Sequence, residues 1–507
     1  MVQGDLVISA DFGTSGVKVG VVDGDLNIIA RATESYPLSL APGGIAEQNP
    51  NDWWGGLTRA ISELRQQIPD LRDRASVLVF SAQICGLICA DEAGTALRPC
   101  MTWLDKRASP LAQAFIGGFP QVHGYQITKL ARWLRLANGA PAKNGMDATA
   151  KILWVQRNEP EVMSRTRWLI DAKDWLVHRA TGVMTTSPES ANLSWMMDSR
   201  RGREGWSETL AGMLNVPLDR LAPITTADTV VDCLTAQAAA ELGLSSDVQV
   251  LGGTSDVTAG ALGSGEVEDG ALHISLATSA WIAGFFPNRR LNVPASYATV
   301  TSGLDMRPLL IASQENAGSA LDWAAEITGT SDAHALTDLG TPQPDDPFFL
   351  PWLAGEKVPV DNDALRGTFF DLSLHHDANA LRRAAVEGVA LNLRWAMSKV
   401  SREKGLRKNG AITLIGGLAA NPQIAQTLAN ALNRDIRVGE ARHAGMLGTA
   451  TLAAATMGWA SSPADAAAKL RSRTTAHYTP YATQVDALDT RAERLQKLRQ
   501  NALRSYT

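Results

Sequence analysis

A pattern of short β-rich runs around a turn of small residues occurs twice in the sequence, about half the chain apart. Residues 6–31 place β-rich runs on both sides of Gly-Thr-Ser-Gly and a third run after a turn at Gly24-Asp25, which predicts an antiparallel meander. Residues 270–286 again place small residues and hydroxyls between two β-rich runs. The recurrence predicts an internal duplication, with one hairpin in each of two domains.

The rest of the chain alternates strand-like and helix-like patterns, as an α/β fold requires. Because 507 residues exceed what one hydrophobic core usually holds, we expect two domains, over residues 1–250 and 251–507. The boundary is expected near residues 245–255, where a new strand begins. Helical spacing occurs at 380–400, at 446–456 and at 484–504, the last predicted to be a charged amphipathic helix on the solvated surface.

Charge and composition exclude several classes of partner. The net charge of -5 gives no basic field for nucleic acid. The first residues lack the basic and apolar segments of a signal peptide, and no apolar run reaches the roughly 20 residues that span a bilayer. We therefore expect a cytoplasmic protein that binds neither nucleic acid nor membrane. Its oligomeric state stays open, and a homodimer is compatible with the sequence.

The four cysteines predict neither a disulfide framework nor a metal site. They are too few for so long a chain, and the expected compartment is reducing. Cys85 and Cys89 lie four residues apart, but no second Cys or His pair of matching spacing completes a metal site. Buried thiols are therefore favoured over metal ligands.

The turn of the first hairpin is suited to an anion. Asp11 ends a strand, and the Gly-Thr-Ser-Gly that follows can direct backbone N–H groups and hydroxyls at one point, as phosphate binding requires. An aspartate beside phosphate suits hydrated Mg²⁺, which prefers oxygen ligands. Alternatively, Asp11 only caps a tight hairpin, and the residues leave both interpretations open.

Two glycine-rich segments of the second half raise similar questions. Residues 252–265 are small or aliphatic except for Asp256, which must therefore be hydrogen-bonded locally or used for chemistry. Gly416-Gly417 lies between a strand pattern and a helix pattern, where the backbone can approach a ligand closely or simply pack. The sequence contains no GxxxxGK[ST], GxGxxG, HExxH or GxSxG, which argues against P-loop, dinucleotide-binding, metalloprotease and serine hydrolase functions.

Taken together and in order, these segments resemble the FGGY family of carbohydrate kinases, whose fold belongs to the actin, hexokinase and heat-shock-70 ATPase superfamily. The resemblance runs from residue 8 to about 456 and rests on DFGTSGVKV, EQNPNDWW, RPCMTWLDKRA, IDAKDWLVHRATG, FLPWLAGEKVPVDNDALRGTFFDLSLHH, ALRRAAVEGVA and IGGLAANPQIAQTLANAL. One departure is Asp371, where the family usually has glycine, and it puts the local turn in doubt.

The resemblance implies an α/β protein with two actin-like (ribonuclease H-like) ATPase domains and a cleft between them. It implies ATP-dependent phosphorylation, with Mg²⁺, of a hydroxyl of a small sugar or polyol, and the overall similarity is nearest the xylulokinases, which act on a pentulose. One alternative is a kinase for ribulose, erythritol or another polyol. A second is a non-catalytic actin-like ATP-binding sensor, which would not need to retain both Asp11 and Asp256.

The resemblance also implies roles for individual residues. Asp256 matches the family's catalytic base, which accepts the proton of the sugar hydroxyl during phosphoryl transfer, and a role in capping the following helix is compatible with this. Asp11 would hold the water shell of Mg²⁺. The remaining implied nucleotide contacts are Thr14 and Lys18 near the phosphates, Thr278 at the phosphates from the second hairpin, and Gly318, Gly417 and Asn421 around the adenosine.

On the sugar side, the family resemblance implies contacts from Gln83 and the two residues after it. Xylulokinases typically have Met-His at those two positions and glycerol kinases have Arg-Glu, whereas this chain has Ile84 and Cys85 and so lacks strong hydrogen-bonding side chains there. Trp103 and Asp105 resemble the family's other sugar-proximal residues, although a tryptophan in a strand is about as often plain core.

Overall fold

The computed structural model describes residues 4–337 and 339–506, which form two compact units. Unit 1 consists of Met1–Gly263, Val300–Pro308 and Gly445–Ala467, and unit 2 of Ser264–Thr299, Leu309–Ala444 and Ala468–Thr507. Neither unit is continuous in sequence, and the division of the chain at residue 250 remains a prediction. Strands and helices alternate in both units, so the predicted α/β class is confirmed.

The main sheet of unit 1 is built around the strand Leu6–Phe12, whose residues are almost all buried. It pairs antiparallel with Gly16–Val22, which pairs antiparallel with Ile28–Ser35, so the meander predicted over residues 6–31 is confirmed. On its other side it runs parallel to Ala75–Ala82. The sheet is completed by Gln249–Leu251 and Thr254–Ser255, both parallel to Ala75–Ala82, and by Val230–Cys233.

This topology brings the ends of three strands to one edge. Ser81 pairs with Asp11 on one side and with Thr254 on the other, in parallel register. The carboxyl ends of adjacent parallel strands lie at the same edge of a sheet, which is where ligands bind in open α/β folds. Residues at or just beyond these strand ends therefore share one edge.

The helix Pro50–Gln67 covers one part of this sheet. Asn49 caps its first turn, and its apolar residues recur at helical spacing, so that Trp53, Leu57, Ile61 and Leu64 enter the core of unit 1. The indole of Trp53 meets that of Trp175 edge to face, from the helix Ala172–Thr181. Burial of this aromatic and aliphatic surface stabilises the packing of the helices against the sheet.

Unit 2 carries the second hairpin, whose strands His273–Leu276 and Ala280–Phe285 pair antiparallel as predicted. His273–Leu276 also runs parallel to Ile412–Ile415, which repeats the arrangement of the first hairpin. The sheet order is Leu291–Asn292, Tyr297–Thr301, Pro308–Gln314, Ala280–Phe285, His273–Leu276, Ile412–Ile415, Ile436–Val438 and Ala476–Tyr478.

The predicted helices of the second half are found, with two corrections. Ala378–Val400 matches its prediction, whereas the helix in the alanine-rich segment is Ala444–Thr451 and gives way to turns over residues 452–458. The last helix, Ala482–Arg504, is not a purely solvated element, because one of its faces is buried. On that face Arg491 donates to Glu387 at 2.5 Å and to the carbonyls of residues 344, 346 and 347.

The other elements connect or cover these sheets. The remaining helices are Leu71–Arg74, Ser109–Ile116, Ile127–Leu136, Ala148–Asn158, Pro160–Arg165, Pro188–Leu193, Glu208–Met213, Ala236–Leu242, Asp256–Gly263, Gly318–Ile327, Pro422–Leu432 and Pro463–Leu470. Among the short strands, Ile45–Gln48 pairs with both Ser39–Ala41 and Cys100–Met101. The other short pairs are Ile88–Ala90 with Trp168–Ile170, Gln121–Val122 with Tyr125–Gln126, Met197–Asp198 with Gly205–Trp206, and Phe348–Leu350 with Thr368–Phe370. Among the described residues, no helix combines the length and the apolar character needed to cross a membrane.

The four cysteines are free thiols. Cys89 and Cys100 are buried, as predicted for structural thiols, whereas Cys85 and Cys233 are partly exposed. Burial is the main cause that raises the pKa of the Cys89 thiol to about 11, which keeps it protonated at neutral pH.

Candidate active site

Two acidic residues of unit 1 lie at the shared edge of its main sheet. Asp11 is the penultimate residue of Leu6–Phe12, and Asp256 is the first residue of the helix that directly follows Thr254–Ser255. Both strands belong to the same sheet and run parallel to Ala75–Ala82. The structure thus brings together two residues that are 245 positions apart in the sequence, as the difference between 256 and 11 gives.

Asp256 has the environment of a general base. Its Oδ1 is buried and has no hydrogen-bond partner within residues 4–337 and 339–506. Burial is the main cause that raises the pKa of Asp256 to about 7, and the charge of Asp11 adds to it, while the Val257 amide acts in the opposite direction. A carboxylate that titrates near neutral pH and keeps an oxygen free can accept a proton from a substrate hydroxyl.

The carboxylate of Asp11 is hydrogen-bonded at one of its two oxygens. The Ser81 hydroxyl donates to its Oδ1 at 2.7 Å, and Lys18 is its exposed cross-strand neighbour. Burial raises the pKa of Asp11 most strongly, and both Ser81 and Lys18 oppose that shift. A carboxylate with an oxygen left for an ion and one lysine as its positively charged neighbour fits the oxygen-ligand preference of a hydrated Mg²⁺ ion.

The helix Ala444–Thr451 packs, through two of its glycines, against the elements that carry both carboxylates. A Cβ atom on Gly445 would lie 2.4 Å from Asp11 Oδ2, so only glycine leaves that oxygen its space. Three residues on, a Cβ atom on Gly448 would lie 1.8 Å from the carbonyl of Ala259, within the helix that Asp256 begins. These glycines were not predicted as site residues, although paired glycines inside a helical pattern are themselves a signal of close packing.

The turn of the first hairpin is joined to the predicted sugar-side residues by side-chain hydrogen bonds. Trp103 Nε1 donates to Thr14 Oγ1 at 2.9 Å, and that hydroxyl donates to Gln83 Oε1 at 3.3 Å. Gln48 links the same residues, because it accepts from Gln83 Nε2 at 2.7 Å and donates to the Thr14 carbonyl at 2.8 Å. Trp103 is therefore part of a polar network and not plain core. Gln48 is a participant that sequence reasoning missed.

Asp105 is fully buried, and its carboxylate already has partners. Oδ2 accepts from the Ala46 amide at 2.9 Å, and Arg107 donates to both carboxylate oxygens at 2.6 to 3.0 Å. These bonds tie the segment around Ala46 to the one around residue 105. A direct contact of Asp105 with a sugar remains a prediction.

Ile84 and Cys85 follow the strand Ala75–Ala82 at the same sheet edge as the two carboxylates. Cys85 is partly exposed and adopts a left-handed backbone conformation with a φ of 67°. Burial is the main cause that raises the pKa of its thiol, and the charges of Asp171 and Asp256 add to it. A sulfur held as a neutral thiol is a weak hydrogen-bonding group for a sugar hydroxyl.

In unit 2, Thr278 and Gly318 lie together at the second hairpin. Thr278 is exposed in the turn, and its carbonyl accepts from the amides of Ala317 and Ser319 at 3.2 and 3.0 Å. Gly318 begins a helix and donates to the Ala277 carbonyl at 2.8 Å, and a Cβ atom on it would lie 2.3 Å from that oxygen. The glycine therefore lets a helix N-terminus approach the turn, an arrangement that can bind phosphate.

The predicted adenosine residues Gly417 and Asn421 lie in the connection after Ile412–Ile415. The Asn421 side chain caps the helix Pro422–Leu432 through Oδ1, and its Nδ2 donates to the carbonyls of Ala333 and Leu336 at 3.3 and 3.1 Å. Asn421 thus fixes the position of neighbouring backbone with all its polar atoms. Contact of these two residues with adenosine remains a prediction.

The two hairpin-bearing α/β units are those of an actin-like ATPase. The sequence matches the models of the FGGY family of carbohydrate kinases over residues 6–263 for the N-terminal domain and 272–457 for the C-terminal domain. The chain belongs to the FGGY family of carbohydrate kinases, and its activity is the ATP-dependent phosphorylation of a carbohydrate.

Several relatives carry the name xylulose kinase. The protein from Escherichia coli is 30% identical over 430 residues, which are 84% of this chain and 84% of its own length. The one from Staphylococcus epidermidis is 27% identical over 462 residues, 90% of this chain and 88% of its own. The crystal structure of a xyloylose kinase from Brucella ovis aligns with a TM-score of 0.88 at 25% identity and covers 99% of this chain and 100% of that chain.

Proposed function

We propose that the protein transfers the γ-phosphoryl group of ATP to a hydroxyl of a pentulose or a related polyol, with Asp256 as the general base. The observation that carries the proposal is the buried Oδ1 of Asp256, which has no hydrogen-bond partner in the described part of the chain, on a carboxyl group with a pKa of about 7 at the sheet edge that also bears Asp11. The names of the relatives support a pentulose as the substrate class. Because a carbohydrate kinase consumes ATP, we also propose the cytoplasm, where ATP is supplied, as the location of the protein.

In the proposed reaction, the sugar hydroxyl donates its proton to Asp256 as its oxygen bonds to the γ-phosphorus and the bond to ADP breaks. Asp11 would hold Mg²⁺ through its water shell, and that ion, when bound, neutralises charge on the transferred phosphoryl group. Thr14, with Lys18 beyond it on the next strand, would orient the phosphates. In unit 2, Thr278 would contact the phosphates, and Gly318, Gly417 and Asn421 would border the adenosine.

A kinase for a different polyol is the second candidate, and Cys85 is the observation that favours it. A weakly hydrogen-bonding thiol leaves one substrate hydroxyl without a strong partner. A sugar that lacks that hydroxyl, or presents it elsewhere, therefore loses less binding free energy in this site. The deciding experiment measures ADP release with ATP and Mg²⁺ across pentuloses, hexuloses and polyols. If nucleotide binds but no sugar or polyol of these classes stimulates ADP release, the proposed substrate class is wrong.

The pH dependence of the reaction should follow Asp256. Since only the carboxylate can accept the proton and its pKa is about 7, kcat/KM for the best sugar should rise with pH through that value. Below it, activity should fall about tenfold per pH unit. Measurement from about pH 5.5 to about pH 8.5 at saturating ATP and Mg²⁺ tests this. A flat profile over that range would mean that Asp256 is not the titrating base.

The second prediction here concerns the two residues after Gln83. The double variant Ile84→Met, Cys85→His should raise kcat/KM for xylulose by about one to two decades and lower it for the native substrate, because it supplies a strong partner for a buried hydroxyl. Histidine tolerates the left-handed conformation of residue 85 better than most residues. Ile84→Met alone is the control. If xylulose is already the best substrate of the wild type, the inference from these residues is wrong.

A further inference from the structure

The turn that follows the strand Ala75–Ala82 contains a strained residue. Cys85 has a φ of 67°, in the left-handed region that residues with a Cβ atom rarely adopt. Such a conformation persists only where surrounding structure holds it, and it is common at functional sites. Glycine, which would adopt it freely, is not used at position 85 but follows at position 86.

Asp171 holds the amide side of this turn. Its Oδ2 accepts from the Cys85 amide and its Oδ1 from the Gly86 amide, both at 3.0 Å. Gly86 is needed for this approach, since a Cβ atom there would lie 2.8 Å from Asp171 Oδ1. Asp171 is itself buried and fixed, because it is the N-cap of the helix Ala172–Thr181 and forms a capping box with Asp174.

Lys151 holds the carbonyl side. It is fully buried on the helix Ala148–Asn158, and its Nζ donates to the carbonyls of Cys85 and Met146. Burial lowers the pKa of Lys151, while Asp147 and Asp171 oppose that effect. Both backbone hydrogen-bonding groups of Cys85 are thus taken by buried, ionisable side chains on two different helices. Buried charges are costly, so their use to hold a single residue calls for a reason.

We propose that Asp171 and Lys151 are positioning residues that keep Cys85 in its left-handed conformation and thereby fix the sugar-facing surface of the turn over residues 83–86. The inference rests on the proposed function. The turn begins with Gln83, which is bonded to Thr14 and Gln48, so a shift of its backbone would disturb that network.

Asp171 is also electrostatically connected to the base. The charge of Asp171 contributes to the raised pKa of Asp256, together with burial and the charge of Asp11. Burial is the main cause that raises the pKa of Asp171 itself to about 7; the charge of Asp174 adds to that shift, and the charge of Lys151 opposes it. Removal of the Asp171 charge should therefore move the acid limb of the pH–rate profile to lower pH, which a purely structural role would not do.

The first test is Asp171→Asn, which keeps the shape but presents an NH₂ group to one of the two amides. We expect KM for the best sugar to rise about tenfold, with KM for ATP changed by less than about twofold and the acid limb shifted to lower pH. Lys151→Met should also raise the sugar KM. If Lys151→Met does not fold, the inference is decided by Asp171→Asn alone and in combination with substitutions of Cys85.

The second test places Asp171→Asn in Cys85→Gly and, as the matched control, in Cys85→Ala. Both backgrounds lose the thiol, but only glycine adopts a positive φ without strain. In the alanine background, Asp171→Asn should still raise the sugar KM about tenfold. In the glycine background, the rise should be at least about threefold smaller. Equal losses in both backgrounds, or an unchanged sugar KM in Asp171→Asn, would overturn the inference alone. A wild type without carbohydrate-dependent ADP release would overturn the proposed function and this inference with it.

Discussion

The variant Asp256→Asn should bind ATP and fold like the wild type while losing about 10²- to 10⁴-fold in kcat, the usual cost of removing a general base. The amide is nearly isosteric with the carboxylate but cannot accept the proton of the sugar hydroxyl. Because Oδ1 is buried and no residue that the structure describes hydrogen-bonds to it, loss of the charge should leave the melting temperature unchanged or raise it. The measurements are kcat with the best sugar, the Kd for ATP and the thermal unfolding curve.

The matched control is Asp73→Asn, which makes the same chemical change at an exposed position of the helix Leu71–Arg74. It should leave kcat and the Kd for ATP unchanged. Turnover of Asp256→Asn at close to the wild-type rate would mean that Asp256 is not the base. A large loss of ATP binding in the same variant would point to disturbance of the site and not to lost proton transfer.

The elements that bear the site could be predicted because their signals are local. Both hairpins follow from short β-rich runs around small residues, and Asp256 is conspicuous as the one charge in a segment of small and aliphatic residues. Asp11 and Asp256 share a sheet edge because the strand that contains Asp11 and the strand just before Asp256 both run parallel to Ala75–Ala82. Sequence pattern and topology therefore agree where the backbone itself positions the side chain.

The residues that support the site could not be predicted in the same way, because their partners are distant in the chain. Gly445 lies against a carboxylate that is 434 positions away, as the difference between 445 and 11 gives, and no local pattern connects the two. Lys151 lies in a segment with an ordinary helical pattern, and Asp171 lies in a family motif that indicates no partner for it, so only the fold shows that both hold Cys85. Arg491 likewise has the pattern of a solvated helix face until Glu387 is placed beside it.

Asp371 illustrates the opposite case, in which a departure from the family pattern leaves the local backbone intact. Its φ of 60° is the conformation for which glycine is favoured, so the turn that the sequence put in doubt is formed. Aspartate is among the residues that tolerate this region best, and Arg494 donates to its Oδ2 at 2.7 Å. The side chain thus gains an ion pair that glycine could not make, although an exposed pair of this kind contributes little stability.

The second large effect is expected for Asp11→Asn, with a fall in kcat of at least about 10²-fold and a higher Mg²⁺ requirement. A neutral amide is a poorer ligand for a hydrated Mg²⁺ ion than a carboxylate. The substitution should also move the acid limb of the residual activity to lower pH, because the charge of Asp11 helps to raise the pKa of Asp256. The measurements are kcat as a function of Mg²⁺ concentration and the pH profile at saturating Mg²⁺.

Two comparisons separate the role of Asp11 from general damage to the strand. Asp5→Asn removes an exposed carboxylate just before the same strand, where it pairs with Arg74, and should leave both kcat and the Mg²⁺ dependence unchanged. Ser81→Ala removes the hydroxyl that donates to Asp11 Oδ1 and should have a smaller effect in the same direction, because the carboxylate itself remains. If Asp11→Asn lowers kcat without changing either the Mg²⁺ dependence or the acid limb, then Asp11 shapes the hairpin and does not bind the metal, and the alternative that the sequence left open is correct.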